Sequence, residues 1–385
     1  MSANTQARLP DAGESWTESL DLSNVQTPAF VFSADAVRRR IRLLKEALGT
    51  KVIISFKASN QQDLLSRLPP EYFDGIEVAS RGELHMSAGL QSPHFYVNTP
   101  ALNESLVRAT LGARARFILD TPSHLEMIAR LRGVRKVEPI TLRLSNKLIA
   151  QFSPDVPRLR DDQFGMDMPQ VVQAIRRAAE LGIEIDGLHL YAGPHTFAKA
   201  SLHVVEAMRQ IVEQVEAWLG YPIKVLNLGG GLEENWTERG HDFTSYRAVL
   251  ATFPSRYELV HEFGRAIFAD CGVFAVKVLQ SKSVCGKRYV VCDGGMAQAF
   301  LLAQTENMMR KYRTPWVYGR TPEALPEGEE TIITGSTCSR DDVIGLAPYA
   351  IEAGDMLVFE NCGAYTRTYS MNNFLQLGEA SSYVV

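Results

Sequence analysis

The chain has 385 residues, of which 45% are hydrophobic and 22% are charged, and its formal net charge is −4. This length allows two domains, or one barrel with an appended domain. The charge balance excludes the basic footprint of a nucleic-acid-binding protein, and no apolar run approaches the length of a membrane-spanning helix.

The cysteines and the N-terminal segment indicate the compartment. Five cysteines are an odd number without paired metal-type spacing, which is typical of reduced thiols (Cys271, Cys285, Cys292, Cys338 and Cys362). Residues 1–20 are polar and lack the apolar core of a signal peptide. We therefore expect a soluble cytoplasmic protein that contacts neither nucleic acid nor membrane.

Strand-like and helix-like segments alternate regularly through the middle of the chain. The predicted strands are residues 52–56, 74–78, 94–98, 116–119, 139–144, 186–191, 224–228 and 257–262. Eight apolar strands separated by helical patterns predict an α/β fold, a (β/α)8 barrel of parallel strands. An open, doubly wound sheet is the alternative. The proline-rich and charged stretch 152–167 is a candidate active-site loop.

After Gly272 the pattern changes to β-branched and aromatic runs divided by turn residues. These runs are residues 273–284, 287–295, 329–335, 356–361 and 364–369. They predict a separate β-domain. We place the barrel at residues 28–270 and the β-domain at 271–385, completed by residues 1–27.

Lys57 ends the first predicted barrel strand. A lysine at the end of a buried strand is costly to desolvate, so it normally has an anionic partner or a covalent role. A strand-end lysine pointing into water is the alternative.

The ends of the last two predicted barrel strands carry an anion-binding pattern. Gly229, Gly230 and Gly231 follow the seventh strand, where backbone N–H groups can converge on a phosphate. Glu262 and Arg265 follow at the eighth, and an arginine there suits bidentate phosphate binding. A flexible turn and an ordinary Glu–Arg ion pair are the alternative interpretations.

The sixth predicted strand ends with His189, Tyr191 and His195 in the sequence GLHLYAGPH. Rings at this position can stack on a planar cofactor, although His189 can equally be a packing residue. The segment is a poor metal site, because no second ligand occurs at short spacing, and we predict no metal. In the β-domain, Cys338 lies between turn and charged residues, unlike a core cysteine.

Together these pieces resemble the fold-type III pyridoxal-phosphate decarboxylases, the family of ornithine, arginine and diaminopimelate decarboxylases. Alanine racemase shares their barrel. The matching motifs run in order between residues 28 and 376: FKASN, EVASRGEL, LRLS, QFGMD, GLHLYAG, LGGG, EFGR, DGGM, GSTCSRDDVI and GAYT.

The resemblance implies pyridoxal phosphate as cofactor and gives residues their roles. Lys57 would form the Schiff base, and Glu262 would pair with the pyridine nitrogen, which favours decarboxylation because it keeps the ring a strong electron sink. The phosphate-binding residues would be Gly229, Gly230, Gly231, Gly264, Arg265 and Tyr365. Others match positions near the lysine or the cofactor ring (Glu77, Arg143, His189 and Tyr191).

The resemblance also implies a homodimer with shared active sites. Cys338 matches the residue that protonates the substrate carbon after CO₂ departs, supplied across the dimer interface. The residues expected to contact the substrate are Asp293, Ser339, Arg340 and Asp342.

Three departures from the family pattern bear on the substrate. Tyr191 stands where a histidine is usual, and Pro194 where a serine is usual, which removes a hydroxyl and an N–H. Ser339, followed by Arg340, replaces the acid that grips a distal ammonium. This exchange favours a distal carboxylate over an ammonium, unless Arg340 only points to solvent or pairs with Asp341.

We therefore predict a decarboxylase acting on an amino acid or conjugate with a distal carboxylate. A precursor in siderophore or other secondary-metabolite assembly, or a glutamyl group on a carrier protein, would qualify. A racemase or epimerase on the same fold, a diaminopimelate- or ornithine-type decarboxylase, and a non-catalytic cofactor-binding protein are the alternatives. The β-domain counts against the last of these.

Overall fold

The computed structural model describes residues 15–303 and 312–385, and its central feature is a closed barrel of eight parallel strands. After β1 (Ala29–Phe32), which lies in another sheet, come β2 (Lys51–Ser55), β3 (Gly75–Val78), β4 (Phe95–Asn98), β5 (Arg116–Leu119), β6 (Ile140–Leu144), β7 (Ile185–Leu190), β8 (Val225–Asn227) and β9 (Glu258–Phe263). The barrel closes where β9 pairs with β2, with Glu262 beside Ile53. The predicted parallel barrel is confirmed, and the open-sheet alternative is wrong.

Helices connect the barrel strands and several begin at a polar cap. They are α1 (Ala34–Leu48), α2 (Gln62–Ser66), α3 (Arg81–Ser87), α4 (Glu104–Ala113), α5 (Ser123–Arg132), α6 (Lys147–Phe152), α7 (Met168–Leu181), α8 (Phe197–Leu219), α9 (Phe243–Leu250) and α10 (Arg265–Phe268). Helix α7 begins with a capping box, in which Asp167 and Gln170 satisfy each other's backbone N–H groups. Helix α1 ends at Gly49, whose φ of 68° suits a glycine.

The barrel strands are almost continuously apolar because both faces of the sheet are covered. All residues of β3 and β7 are buried. A buried cluster joins side chains from five strands: Ile53, Tyr96, Ile118, Val225 and Val260. Burial on both faces explains why these strands lack the alternating pattern of a half-exposed sheet.

The second sheet belongs to the β-domain. Its strands are β10 (Gly272–Val284), β11 (Lys287–Cys292), β12 (Trp316–Val317), β13 (Thr331–Thr334), β14 (Val343–Ala347), β15 (Met356–Phe359) and β16 (Ser381–Val384), in the order β12-β15-β10-β11-β13-β14. Strand β1 joins this sheet, since it pairs antiparallel with β10 and parallel with β16. The predicted β-domain is confirmed as a separate mixed sheet.

One of the predicted β-runs is wrong. Residues 364–369 form turns instead of a strand, because Tyr365 has a φ of 63° and its carbonyl accepts the N–H of Tyr369. The β-branched and aromatic residues of this segment predict a strand, but a residue with left-handed backbone angles cannot be part of an extended strand.

The described residues form two compact units, Arg38–Ala266 and a second that combines the segment up to Val37 with Ile267–Val385. Residues 1–14, part of the segment predicted to complete the β-domain, lie outside the described residues. Among the helices described, none has the length and hydrophobicity needed to cross a bilayer.

Candidate active site

Polar side chains gather where the barrel strands end. In a parallel barrel all carboxyl ends of the strands lie on one side, so residues far apart in sequence meet there. We call this side the C-terminal end of the barrel. Among the residues that the structure describes, the polar side chains at or just after the strand ends, which we call the polar cluster, are Lys57, Glu77, Asn98, Asp120, Arg143, His189, Asn227 and Glu262.

Lys57 and Glu77 form an ion pair at the ends of β2 and β3. The Nζ atom of Lys57 lies 2.8 Å from Oε1 and 3.0 Å from Oε2 of Glu77. Glu77 is fully buried, whereas 46% of the Lys57 side chain is exposed. The hydroxyl of Ser55, which neighbours Glu77 in the sheet register, donates to the same carboxylate. The predicted lysine therefore has an anionic partner and still offers its amine to a ligand.

Glu262 on β9 is a mostly buried carboxyl group, with 11% of its side chain exposed. The side-chain amide of Asn227 donates to its Oε1 over 2.7 Å. Burial, reinforced by the negative charge of Glu77, raises the pKa of Glu262 to about 7, and the charge of Lys57 opposes this rise. The group can therefore hold or release a proton near neutral pH.

His189 on β7 points into the same polar cluster. Its Nε2 lies 3.6 Å from Oε2 of Glu262, and neither ring nitrogen has a hydrogen-bond partner among the described residues. Burial lowers the pKa of His189 well below its usual value, and the charges of Arg143 and Lys57 lower it further. The ring is neutral, which leaves it suited to packing against a flat ligand.

Arg143 on β6 is held by three neighbours. It lies 3.5 Å from Asp120 and donates to Asn98 over 3.3 Å. The ring of Phe164 covers its guanidinium, with 4.4 Å between the group and the ring centroid. Gly165 donates its N–H to Asp120 over 3.0 Å, so the end of the predicted loop 152–167 is anchored at the C-terminal end of the barrel.

The three glycines after β8 occupy space that no side chain could share. A Cβ on Gly230 would lie 2.1 Å from the carbonyl oxygen of Glu262, and one on Gly231 would lie 2.7 Å from the carbonyl oxygen of Gly193. Gly229 packs against the ring of Tyr191, which a Cβ would meet at 2.8 Å, and donates its N–H to Asn227. The glycine run is thus a tightly packed turn, which disfavours the flexible-turn interpretation.

Arg265 begins α10, one residue after Gly264. Its guanidinium lies 3.5 Å from the carboxylate of Glu234, on the segment that follows the glycines. His195 has a φ of 56°, and burial followed by the charge of Arg265 lowers its pKa. An ordinary Glu–Arg ion pair was the alternative prediction for Arg265. Arg265 does form such a pair, but its partner is Glu234 and not Glu262. Arg265 therefore contacts the segment that follows the glycine turn.

In the β-domain, Cys338, Ser339 and Arg340 form a turn between β13 and β14. Cys338 and Arg340 are exposed. Asp342 is 2% exposed, and its carboxylate accepts the N–H groups of Met296 over 2.7 Å and Thr337 over 2.9 Å. The carboxylate of Asp342 therefore fixes the base of this turn.

Asp293 and Tyr365 lie elsewhere in the β-domain. Asp293 accepts a hydrogen bond from Thr27 over 2.6 Å and from the backbone of Lys277 over 2.8 Å. Tyr365 follows β15 in the left-handed conformation already described. The substrate contacts predicted for Asp293 and Asp342 stay predictions, and the structure shows both carboxylates bonded within the domain.

Several polar residues of the cluster were not among the residues predicted from the sequence. Asn227, Asn98 and Asp120 each end a barrel strand or follow one directly, and Ser55 does the same on β2. Their position after an apolar strand is a signal that could have identified them. Phe164 carried no such signal, because its contact with Arg143 depends on how the loop folds back.

Comparison with protein families gives a match over most of the barrel. The model of the family described as "Pyridoxal-dependent decarboxylase, pyridoxal binding domain" matches residues 34–269. This region contains all the strand-end residues of the polar cluster.

Curated relatives cover nearly the whole chain. A diaminopimelate decarboxylase of Vibrio cholerae is 24% identical over an alignment of 395 positions, gaps included, which covers 94% of this chain and 89% of that protein. A 2-[(L-alanin-3-ylcarbamoyl)methyl]-2-hydroxybutanedioate decarboxylase of Staphylococcus aureus is 26% identical over 83% of this chain and 84% of that one. An L-glutamyl-[BtrI acyl-carrier protein] decarboxylase of Niallia circulans is 24% identical over 91% of this chain and 86% of that one.

Solved structures share the fold. The lysine/ornithine decarboxylase of Vibrio vulnificus, complexed with cadaverine, superposes with a TM-score of 0.80 at 22% identity, covering 98% of this chain and 97% of that one.

Proposed function

Because this chain belongs to the pyridoxal-dependent decarboxylase family and is a pyridoxal-phosphate-dependent amino-acid decarboxylase, we propose that its substrate is an amino acid or conjugate with a carboxylate at its far end. The observation that carries this proposal is the exposed guanidinium of Arg340. The three relatives act on different substrates at nearly the same identity, so the choice depends on the chain's own residues.

The polar cluster of the barrel fits this cofactor. Lys57 offers a partly exposed amine beside a buried carboxylate, and a packed glycine turn lies near an arginine. The neutral, unpartnered ring of His189 lies next to Glu262, so a flat aromatic group could contact both. When bound, pyridoxal phosphate supplies the electron-withdrawing ring that stabilises the charge left on the substrate carbon as CO₂ departs.

Lys57 and Glu262 are proposed to bind two different groups of the cofactor. We assign Lys57 to the covalent link, with Glu77 holding its amine in place from 2.8 Å. Glu262 would accept the hydrogen bond of the pyridine nitrogen, for which it must be ionised. Asn227 supports that state because it donates to the carboxylate.

The glycine turn and Arg265 are the proposed phosphate site. Gly230 and Gly231 are proposed to donate their backbone N–H groups, and Arg265 would add a positive charge, whereas Gly229, whose N–H is donated to Asn227, would support the turn. Tyr365 of the β-domain is a further proposed ligand. Tyr191 packs against Gly229, so its ring would help to shape this phosphate site.

Cys338 is the proposed proton donor to the substrate carbon. Its exposure suits a group that must reach a ligand from a second copy of the chain, which is why we propose a homodimer with shared active sites. Asp342 acts on this cysteine indirectly, because its buried carboxylate binds Thr337, the residue before Cys338.

Arg340 supports the choice of an acidic substrate. Within the described part of the chain its guanidinium has no hydrogen-bond or ion-pair partner, although it is exposed beside the proposed proton donor. Ser339 is used in the turn itself, since its hydroxyl accepts the N–H of Asp341 over 3.2 Å. An arginine in this state binds a carboxylate bidentately and repels an ammonium.

The relatives offer two forms of such a substrate. The butanedioate in the name of the Staphylococcus aureus enzyme carries carboxylates, and the Niallia circulans enzyme acts on a glutamyl group on a carrier protein. We propose the first form for this chain, a siderophore or other secondary-metabolite precursor in which the amino acid is joined to a polycarboxylic acid. It requires only the carboxylate site that Arg340 can provide.

The experiment measures CO₂ release from ornithine, lysine, diaminopimelate, a carrier-bound glutamyl group and an amino acid amide-linked to citrate. The citrate conjugate should react fastest, and Arg340→Glu should lower its kcat/KM by about tenfold or more, the value of a charged hydrogen bond. Arg42→Glu makes the same charge change on the exposed face of α1 and should leave kcat/KM unchanged. Rapid turnover of ornithine or lysine, unaltered by Arg340→Glu, would show that the proposal is wrong.

A further inference from the structure

Asn227 joins two parts of the candidate active site, the carboxyl group of Glu262 and the glycine turn. Its side-chain N–H donates to Oε1 of Glu262 over 2.7 Å, and its Oδ1 accepts the N–H of Gly229 over 3.0 Å. A carboxylate can only accept here and a backbone N–H can only donate, so these two partners fix the orientation of the amide. Asn227 is 2% exposed, which leaves water little access to either bond.

The backbone reinforces this connection. The N–H of Glu262 donates to the carbonyl oxygen of Gly229 over 2.8 Å, and Gly230 packs directly on the carbonyl oxygen of Glu262. Glu262 and the glycine turn are thus joined through the main chain and through one side chain. Only the side-chain bond depends on the charge of Glu262.

We infer that Asn227 is a positioning residue that couples the ionisation of Glu262 to anion binding at the glycine turn. When Glu262 is ionised, it orders the Asn227 amide, and the ordered amide holds the N–H of Gly229 in the geometry of the turn. This inference rests on the proposed roles of Glu262 and the glycines. It adds that Glu262, the proposed partner of the pyridine nitrogen, affects how the glycine turn binds the phosphate.

Asn227 is one of several groups that act on the ionisation of Glu262. The charged and titratable groups that face it are Glu77, Lys57, Arg143, His189 and Tyr96. Glu77 disfavours the ionised carboxylate and His189 is neutral, whereas the positive charges of Lys57 and Arg143 favour the ionised form. Asn227 contributes a hydrogen bond that favours the ionised form at any pH, because an amide does not titrate.

Two substitutions separate the two bonds. Asn227→Asp keeps an oxygen for the N–H of Gly229 but places a carboxyl group against Glu262, so the pair retains a shared proton to higher pH. Asn227→Leu has nearly the same shape and removes both bonds. The stability control is Asn103→Ala, which removes the N-cap of α4 without touching the cluster.

The measured quantity is the dissociation constant of pyridoxal phosphate from the apoprotein, determined by fluorescence between pH 5.5 and 9. The reference is Glu262→Gln, in which residue 262 can no longer titrate. The wild type should bind pyridoxal phosphate more tightly than Glu262→Gln at high pH, and this difference should appear around the pKa of Glu262, about 7. Asn227→Asp should move this midpoint upward by about one pH unit or more, and Asn227→Leu should weaken binding by about tenfold. Asn103→Ala should change neither.

The outcomes distinguish this inference from the function on which it rests. If Glu262→Gln leaves the pH dependence in place, the proposed role of Glu262 is wrong. If Glu262→Gln removes it but Asn227→Asp leaves the wild-type midpoint unmoved, only the coupling through Asn227 is overturned. Should Asn227→Leu fail to fold, the midpoint of Asn227→Asp still decides the question.

Discussion

The amine of Lys57 lies 2.8 Å from Oε1 and 3.0 Å from Oε2 of Glu77, although the two residues are 20 positions apart in the sequence. Glu77 is fully buried and Lys57 is half-exposed. The pairing therefore restrains the amine of Lys57 without enclosing it, as the proposed covalent role requires.

Lys57→Arg should abolish covalent attachment of the cofactor. Arginine keeps the positive charge beside Glu77 but stays protonated and cannot form the link. We expect borohydride treatment followed by peptide mass spectrometry to label Lys57 in the wild type and no residue in the variant. Lys51→Arg, at the other end of β2 and paired with Glu258, is the control and should be labelled like the wild type. A label on another lysine would contradict the assignment.

The barrel and much of its polar cluster were predictable because both follow from local patterns. Apolar runs such as residues 186–191 give the strands, and a parallel barrel then places every strand end on one side. The bonds of Asn227 were not predictable, since they depend on the register of β8 and β9 and on the turn at Gly229. The turn at Tyr365 was missed because a left-handed residue other than glycine leaves no mark in composition.

Glu262 should make the apoprotein less stable as the pH rises from about 5 to 7. The pKa of this carboxyl group is raised from 4.5 to about 7 in the folded chain. Its contribution to stability is therefore fully present below 4.5, the unfolded value, and is lost as the pH rises through about 7.

Thermal unfolding of the wild type and of Glu262→Gln, followed across this pH range, measures the effect. The Tm of the wild type should fall relative to that of Glu262→Gln as the pH rises. Glu258 lies on β9 like Glu262, but its carboxylate is partly exposed and paired with Lys51 of β2. The same series with Glu258→Gln should therefore show no comparable trend. A constant difference between wild type and Glu262→Gln would mean that Glu262 titrates normally.

Mixing two inactive variants should restore activity if active sites are shared between copies. Lys57→Ala and Cys338→Ala each lack one proposed catalytic group, and a mixed dimer contains one complete site. Random assortment predicts about a quarter of wild-type CO₂ release, because half of the dimers are mixed and each has one working site. Each variant alone, taken through the same dissociation and reassociation, is the control. No recovery despite mixed dimers on a native gel would place both groups in one copy.

Gly230→Ala should disrupt the anion-binding turn. The new Cβ would lie 2.1 Å from the carbonyl oxygen of Glu262 and 3.0 Å from the ring of Phe263. A backbone oxygen cannot move aside without separating β8 from β9, so we expect a lower Tm and affinity for pyridoxal phosphate reduced by about tenfold or more. Differential scanning calorimetry and equilibrium binding to the apoprotein measure the two effects.

Gly112→Ala is the matched control for that substitution, because its Cβ would meet no atom within 4 Å among the residues described. Gly112 lies inside α4, where alanine is the better helix former by about 1 kcal/mol, so the Tm should stay the same or rise. Cofactor affinity should be unchanged. If Gly230→Ala bound the cofactor as tightly as Gly112→Ala, the close packing of this turn on Glu262 would not be needed for anion binding, and the phosphate would have to be held by Arg265 and other groups.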